Sequence, residues 1–223
     1  MREIESADGP TPALHAPDGS HVGVLSWQWP TAMAVLSSAP VGGGFATATW
    51  IMNIGVPLTY CRTDLAQHSD EVAASLGLSG PGVALFTAAE VEYVQRSTVG
   101  GVIVDATIGI SKPTWAADPG GGWNPWQPGT VNIVVELPMP LDPAAAVNAV
   151  ITATEAKTQA FMDNYVPGTG TASDAIAIVW PTTSTKPAES FAGPRSDAGS
   201  RIAQAVHAAV ATGIQAWRAR AIA

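Results

Sequence analysis

Carboxylates, hydroxyls and side-chain amides are the groups in this chain whose types and spacing could do chemistry. Glu155 lies on a long alanine-rich segment, and Asp174 stands at the mouth of an apolar run. Thr169, Thr171 and Ser173 precede that aspartate in the loop Val166-Pro-Gly-Thr-Gly-Thr-Ala-Ser-Asp174, and Asn132 and Asn148 add amide donors. A partly buried carboxylate with a raised pKa can take a proton from water, and hydroxyl or amide donors can hold a developing oxyanion. That set suffices to hydrolyse an amide or ester without a metal, and it is equally compatible with a site that only binds polar groups. Other chemistries find little support. His15, His21, His68 and His207 lack metal-ligand spacing and cysteine companions, so no metal site is expected. There is no Gly-x-Ser-x-Gly elbow, and Gly42-Gly43-Gly44 lacks the Lys-Ser/Thr of a phosphate loop.

Glu155 must be positioned by a helix. Asp142 stands where an N-cap belongs, Pro143 takes the first helical position, and alanines fill the body up to Phe161. At about 100° per residue, Val147, Val150, Ile151, Thr154, Thr158 and Phe161 form one broad side. Ala149, Ala153, Ala156 and Ala160 form a second that admits a neighbouring backbone. Two polar directions remain: the stripe Asn148, Thr152, Glu155 and Gln159, and Lys157 nearly opposite. A helix flanked by apolar surface on both sides can give only one of these directions to water; the other must end in a buried polar site or a cleft. Asn and Thr are poor fillers of a solvent face. The Asn148/Thr152/Glu155 edge is therefore expected to line a pocket, and Lys157 to pair elsewhere in a structural role.

The flanking elements follow from periodicity and breakers. A β-branched strand from Gly129 to Leu137, the helix, and an apolar strand from Ala175 to Val179 make a crossover unit with its loops at one sheet edge. Upstream, Pro17-Asp18-Gly19 predicts a hairpin over 13–29, with further strands at Met33–Ser38, Ala46–Ile54 and Val83–Phe86. A helix is expected from Ser69 to Gly77, a capping box at Thr87-x-x-Glu90, and a hairpin around Gly100-Gly101. A C-terminal helix capped at Ser196 or Asp197 carries Ile202, Val206, Val210, Ile214 and Trp217 on one face. The fold class is α+β: a mixed, largely antiparallel sheet packed against a long central helix and a C-terminal helix. Residues 1–12 read as a loose leader and 13–223 as a single domain.

Bulk properties narrow the partners. The chain of 223 residues is 47% hydrophobic and 13% charged, with a net charge of −8. Too few cations are present to recruit nucleic acid or an anionic membrane, so an uncharged or cationic small molecule is the better fit. No apolar run reaches the roughly 20 residues a membrane span needs. With one cysteine, Cys61, and no secretion signal at the start, a cytoplasmic location is expected. Lys112–Pro128 interleaves Trp115, Trp123 and Trp126 with prolines and glycines, a loop whose aromatic surface either packs back on the core or forms a binding wall or lid.

Gly129-Thr-Val-Asn-Ile, Val147-Asn-Ala-Val-Ile-Thr-Ala-Thr-Glu-Ala-Lys-Thr158, the Gly168–Asp174 loop and Phe191-Ala-Gly-Pro194, in that order, resemble the adenosylcobinamide amidohydrolase family of corrinoid salvage. Ser37-Ser38 with Gly42-Gly43-Gly44, Phe86-Thr-Ala-Ala-Glu-Val91 and Ala106-Thr-Ile-Gly-Ile-Ser111 resemble its upstream blocks. The segment Cys61–His68 and the Trp-rich loop depart from the family pattern. The resemblance implies hydrolysis of the amide joining aminopropanol to a corrin propionate, giving adenosylcobyric acid. It implies no cofactor, since the substrate itself carries cobalt, and a homo-oligomer is possible. On this reading Glu155 acts as general base, Asn148, Thr152 and Asn132 orient the amide carbonyl, and Thr171 and Asp174 assist protonation of the leaving amine. Ser38, Gly43 and the Trp115/Trp123/Trp126 loop contact the corrinoid. A corrinoid carrier or sensor without catalysis, or an amidohydrolase for another amide, is the alternative.

Overall fold

The computed structural model describes residues 9–19, 21–119 and 129–222. Strands β1 (Ala13–His15), β2 (Val24–Ser37), β3 (Gly44–Gly55), β4 (Gly82–Thr87), β5 (Gln95–Val99), β6 (Val102–Gly109), β7 (Thr130–Glu136) and β8 (Ala175–Pro181) form one sheet in the order β4-β3-β2-β8-β7-β6-β5, with β1 on β2. The pairs β3/β4 and β7/β8 are parallel and the others antiparallel. Helices α1 (Leu65–Ser75), α2 (Pro143–Asp163) and α3 (Asp197–Ile222) complete the mixed α+β architecture expected from the sequence.

The sheet turns on β2. Its last five residues, Met33–Ser37, pair with β3 on one side and β8 on the other, whereas its first half meets β3 and β1. Between Gln28 and Met33 the register with β3 slips. Pro30 lies in this gap and has no N–H for the ladder, so the two strands expected from the sequence are one strand with an irregularity. The sheet then curls. Asn132 of β7 donates to Asn53 of β3 at 2.8 Å, and Trp27 of β2 donates to Asp105 of β6 at 2.7 Å. Two strands separate each pair in the sheet order, so in a flat sheet they would stand about 14 Å apart. Leu25, Trp27, Val35, Ile51, Leu85 and Val179 fill the space enclosed.

Helices cover the outer faces. Val72 and Ala73 of α1 pack on Trp50, Met52 and Ile54. On the opposite side, α2 and α3 pack together against Val104, Ile133 and Ile178. The seam is made of small residues: Ala145, Ala149, Ala153 and Ala160 on α2, and Ala205 and Ala209 on α3, are at most 1% exposed. Phe161 closes the end of this core.

Several local expectations shift by definite causes. The helix expected from Ser69 begins at Leu65, so Asp70 and Glu71 lie inside it; Glu71 is held there by Arg62 and Gln67. Thr87 makes no capping box: its hydroxyl accepts from Ala89 N at 2.9 Å, while Glu90 is exposed and pairs with Arg220. Ser196 does cap α3, its Oγ accepting from Gly199 N at 3.0 Å. The outward side of α2 is the larger correction. Val147 and Ile151, expected among the packed residues, are 46% and 49% exposed, because the alanine face is the one turned inward.

Phe161→Ala removes a fully buried ring from the seam. Urea denaturation should show a loss of about 3–5 kcal/mol.

Candidate active site

The crossover β7–α2–β8 sets the starts of two parallel strands side by side, with Asn132 opposite Ala175. Gly129 and Thr130 therefore face the loop at 168–174, and the second half of α2 passes over both. A cleft of about 410 Å³ opens here, lined by Thr154, Lys157, Thr171 and Asp174 among others. Thr114 bridges its mouth: Thr114 N donates to Gly170 O at 2.8 Å and Thr169 N donates to Thr114 O at 2.9 Å.

Lys157 reaches this cleft because of its place in the helix. Ala149, Ala153, Lys157 and Phe161 follow each other at i, i+4 spacing on one face, and Lys157 is 6% exposed. Its ammonium forms an ion pair with Asp174 Oδ2. That oxygen also accepts from Thr171 N at 3.1 Å. Asp174 Oδ1 accepts from Val131 N at 2.9 Å and from the Thr171 hydroxyl. The same hydroxyl stands 2.7 Å from Gly129 O. Beside it, Ser173 Oγ lies 2.8 Å from Thr130 Oγ1 and 3.1 Å from Gly129 O. A Cβ at Gly170 would run into both Asp174 Oδ2 and Lys157 Nζ, so only glycine lets the backbone pass this close to the pair. The result is an ammonium, a carboxylate and a hydroxyl in contact at the wall of a water-accessible cleft. Together they can accept a proton, hold a developing oxyanion and return a proton to a leaving group.

Of the residues expected at the site, the structure brings together Thr171 and Asp174. It does not bring Glu155, Asn148, Thr152 or Asn132 to this cleft. Glu155 is exposed and Asn148 half-buried on the far side of α2. Thr152, 1% exposed, donates to Ala192 O at 2.8 Å. Asn132, 2% exposed, donates to Asn53 Oδ1 and, at 3.0 Å, to Phe86 O inside the curl of the sheet. One polar direction of α2 does end in a cleft, but it is that of Lys157; of the opposite stripe Thr152 is buried on a backbone carbonyl and Glu155 lies in water. The missed signal was the i, i+4 ladder of Ala149, Ala153, Lys157 and Phe161.

Ser38 and Gly43 lie in the turn between β2 and β3. Ser38 Oγ accepts from Ile176 N at 3.1 Å, and a Cβ on Gly43 would meet Ala39 O, which gives both residues a part in shaping that turn. Trp115, 48% exposed, stands between the cleft-lining Thr114 and Ala116. Trp123 and Trp126 lie outside the described residues. The histidines find other partners. His68 stacks on Tyr60 and lies against Phe86, with Tyr60 OH 2.7 Å from its Nδ1, while burial pushes the His21 imidazole below its usual pKa. Among the described residues, no group of three His, Cys, Asp or Glu side chains is placed to hold a metal ion.

Residues 13–222 match the family model described as adenosylcobinamide amidohydrolase. A protein of that name from Methanosarcina mazei is 27% identical over 185 residues, covering 80% of this chain and 88% of the relative. Another from Halobacterium salinarum is 32% identical over 165 residues, covering 71% and 70%. Among solved structures, the PH0078 protein from Pyrococcus horikoshii aligns with 93% of this chain and 83% of its own at 11% identity, with a TM-score of 0.46. A Burkholderia sp. β-aminopeptidase aligns with 93% and 85% at 13% identity and 0.45.

Gly170→Ala should destabilise the fold by about 1–3 kcal/mol in denaturant titration, through the clash with the Lys157–Asp174 pair. Glu155→Gln should alter stability by no more than about 0.5 kcal/mol in the same titration. Turnover assays should show it as active as the parent protein, since the side chain lies away from the cleft.

Proposed function

The chain belongs to the adenosylcobinamide amidohydrolase family and is a hydrolase, and from that membership we propose that it cleaves the amide between aminopropanol and a corrin propionate. The products are adenosylcobyric acid and aminopropanol, and the reaction returns an incomplete corrinoid to cobalamin synthesis. The observation within the fold that carries this reading is the Lys157–Asp174–Thr171 contact on the wall of the cleft. No cofactor is required on this reading, because the cobalt belongs to the substrate. The net charge of −8 suits a substrate that is not anionic. The exposed free thiol of Cys61 suits the reducing cytoplasm, where we place the reaction.

Water adds across the C–N bond: the carbonyl carbon gains an oxygen, and the amine nitrogen leaves with a proton. Asp174 is the acceptor of the proton released by the attacking oxygen. Val131 N and Thr171 N hold its carboxylate from the backbone side, which fixes its direction before substrate arrives. Lys157 carries three N–H donors, and the contact with Asp174 takes one. The others serve the carbonyl oxygen as it becomes an oxyanion and then the departing nitrogen. A cleft of about 410 Å³ accommodates the amide arm, leaving the corrin plane over its rim. Trp115, exposed at that rim, offers a flat apolar face for the plane.

Incubation with adenosylcobinamide followed by mass analysis should give adenosylcobyric acid and aminopropanol; binding without conversion would identify a carrier instead. Asp174→Asn should lower kcat by roughly 10²–10⁴-fold while circular dichroism remains that of the parent. Trp115→Ala should raise KM for the corrinoid with kcat little changed.

A further inference from the structure

The threonines that α2 and the loop at 168–174 bring to the cleft are separated by their hydrogen bonds. Thr154 Oγ1 donates to Val150 O at 2.8 Å, and Thr158 Oγ1 donates to Thr169 O at 3.1 Å. Thr169 Oγ1 accepts from Ala116 N at 2.9 Å and lies 3.4 Å from Thr114 O. Each of these is committed to the backbone. Thr171 is different: its hydroxyl reaches a carboxylate, Asp174 Oδ1. Its single proton has two acceptors within reach, Gly129 O and Asp174, and only the carboxylate can carry it away. The other carboxylate oxygen faces the Lys157 ammonium. A hydroxyl on a base that a third group orients is the arrangement that turns a poor nucleophile into an effective one.

We infer that Thr171 is the nucleophile and that the reaction passes through an ester of its hydroxyl, which gives the protein a second activity, transfer of the acyl group to amines. The inference rests on the proposed amide hydrolysis and specifies its chemical course. In the first half, Thr171 Oγ bonds to the carbonyl carbon while its proton passes to Asp174, and the carbonyl π electrons move to the oxygen beside Lys157. The tetrahedral centre collapses, the C–N bond breaks, and the amine leaves with the proton that Asp174 received. In the second half, water bonds to the ester carbonyl and gives a proton to Asp174. The C–Oγ bond then breaks and Thr171 recovers that proton. A small amine admitted to the cleft in place of water forms a new amide by the same steps.

The test is a mass-spectrometric reaction of the intact protein with adenosylcobinamide, with and without hydroxylamine. Acid quenching under single-turnover conditions should yield a Thr171-containing peptide heavier by the corrinoid acyl group. Hydroxylamine should divert product to the hydroxamate, in a ratio to acid that is unchanged when a substrate with a different leaving amine is used. Thr171→Ser should retain both signals, whereas Thr171→Val should lose the adduct and reduce kcat by about 10³-fold or more. Cobyric acid formation with no adduct and no hydroxamate overturns the inference and leaves the hydrolytic function standing, as does a Thr171→Val protein within tenfold of the parent. Absence of acid, hydroxamate and adduct overturns the function and the inference together.

Discussion

The close contact of α2 with α3 sets the rotation of α2, and that rotation decides what the cleft contains. Ala149, Ala153 and Ala160 carry only a methyl group each and are fully buried. Side chains this small let the helices approach, and no other face of α2 offers a comparable strip. With those alanines turned inward, Lys157 and Phe161 follow by i, i+4 geometry, whereas Glu155 is carried round to water. A rotation that buried Val147 and Ile151 instead would enclose more apolar area per residue. It would also lift the seam from α3 and leave Lys157 without Asp174.

How much of this was legible in the sequence depends on whether the cause was local. The strand–helix–strand crossover, the Gly100-Gly101 hairpin and the buried face of α3 are written in breakers and periodicity, and the structure has them. The pairing of Asp174 with Thr171 could be anticipated because both belong to one short loop. The choice between two polar directions on α2 could not, because it is made by the partner helix. The contact of Asn53 with Asn132 is still further from local sequence. It spans 79 residues and two intervening strands, and it follows from the curl of the sheet. An asparagine in the middle of a β-branched strand reads as a candidate ligand for substrate, yet here it bonds one limb of the sheet to the other.

The curl has a consequence for the site. By bringing β3 and β4 over β7, it occupies the inner face at Asn132 with Asn53 and Phe86 O, and β7 meets the cleft-lining Asp174 at its first residues. There the parallel pairing with β8 places the loop before Asp174 against Gly129 and Thr130. The bonds from Val131 N to Asp174 and from Thr171 Oγ1 toward Gly129 O cross between the two strand starts. The carboxylate is thus anchored by the start of β7, and it does not depend on the loop alone for its position.

Energetics argue against stability as the reason for such a pair. Taking an ammonium and a carboxylate out of water costs several kcal/mol per ion, and apolar residues of the same size would serve the fold as well or better. Lys157 and Asp174 are not fully withdrawn, with side chains 8% and 11% exposed at the cleft wall. They stand at the boundary between the packed interior and the water of the cleft. The glycine at 170 points the same way. It surrenders backbone rigidity in the loop, and what it gains is room for the two charges to meet. The place a side chain at 170 would take is filled by Asp174 Oδ2 and Lys157 Nζ, so the loop is shaped around two charges that stability alone would not have required.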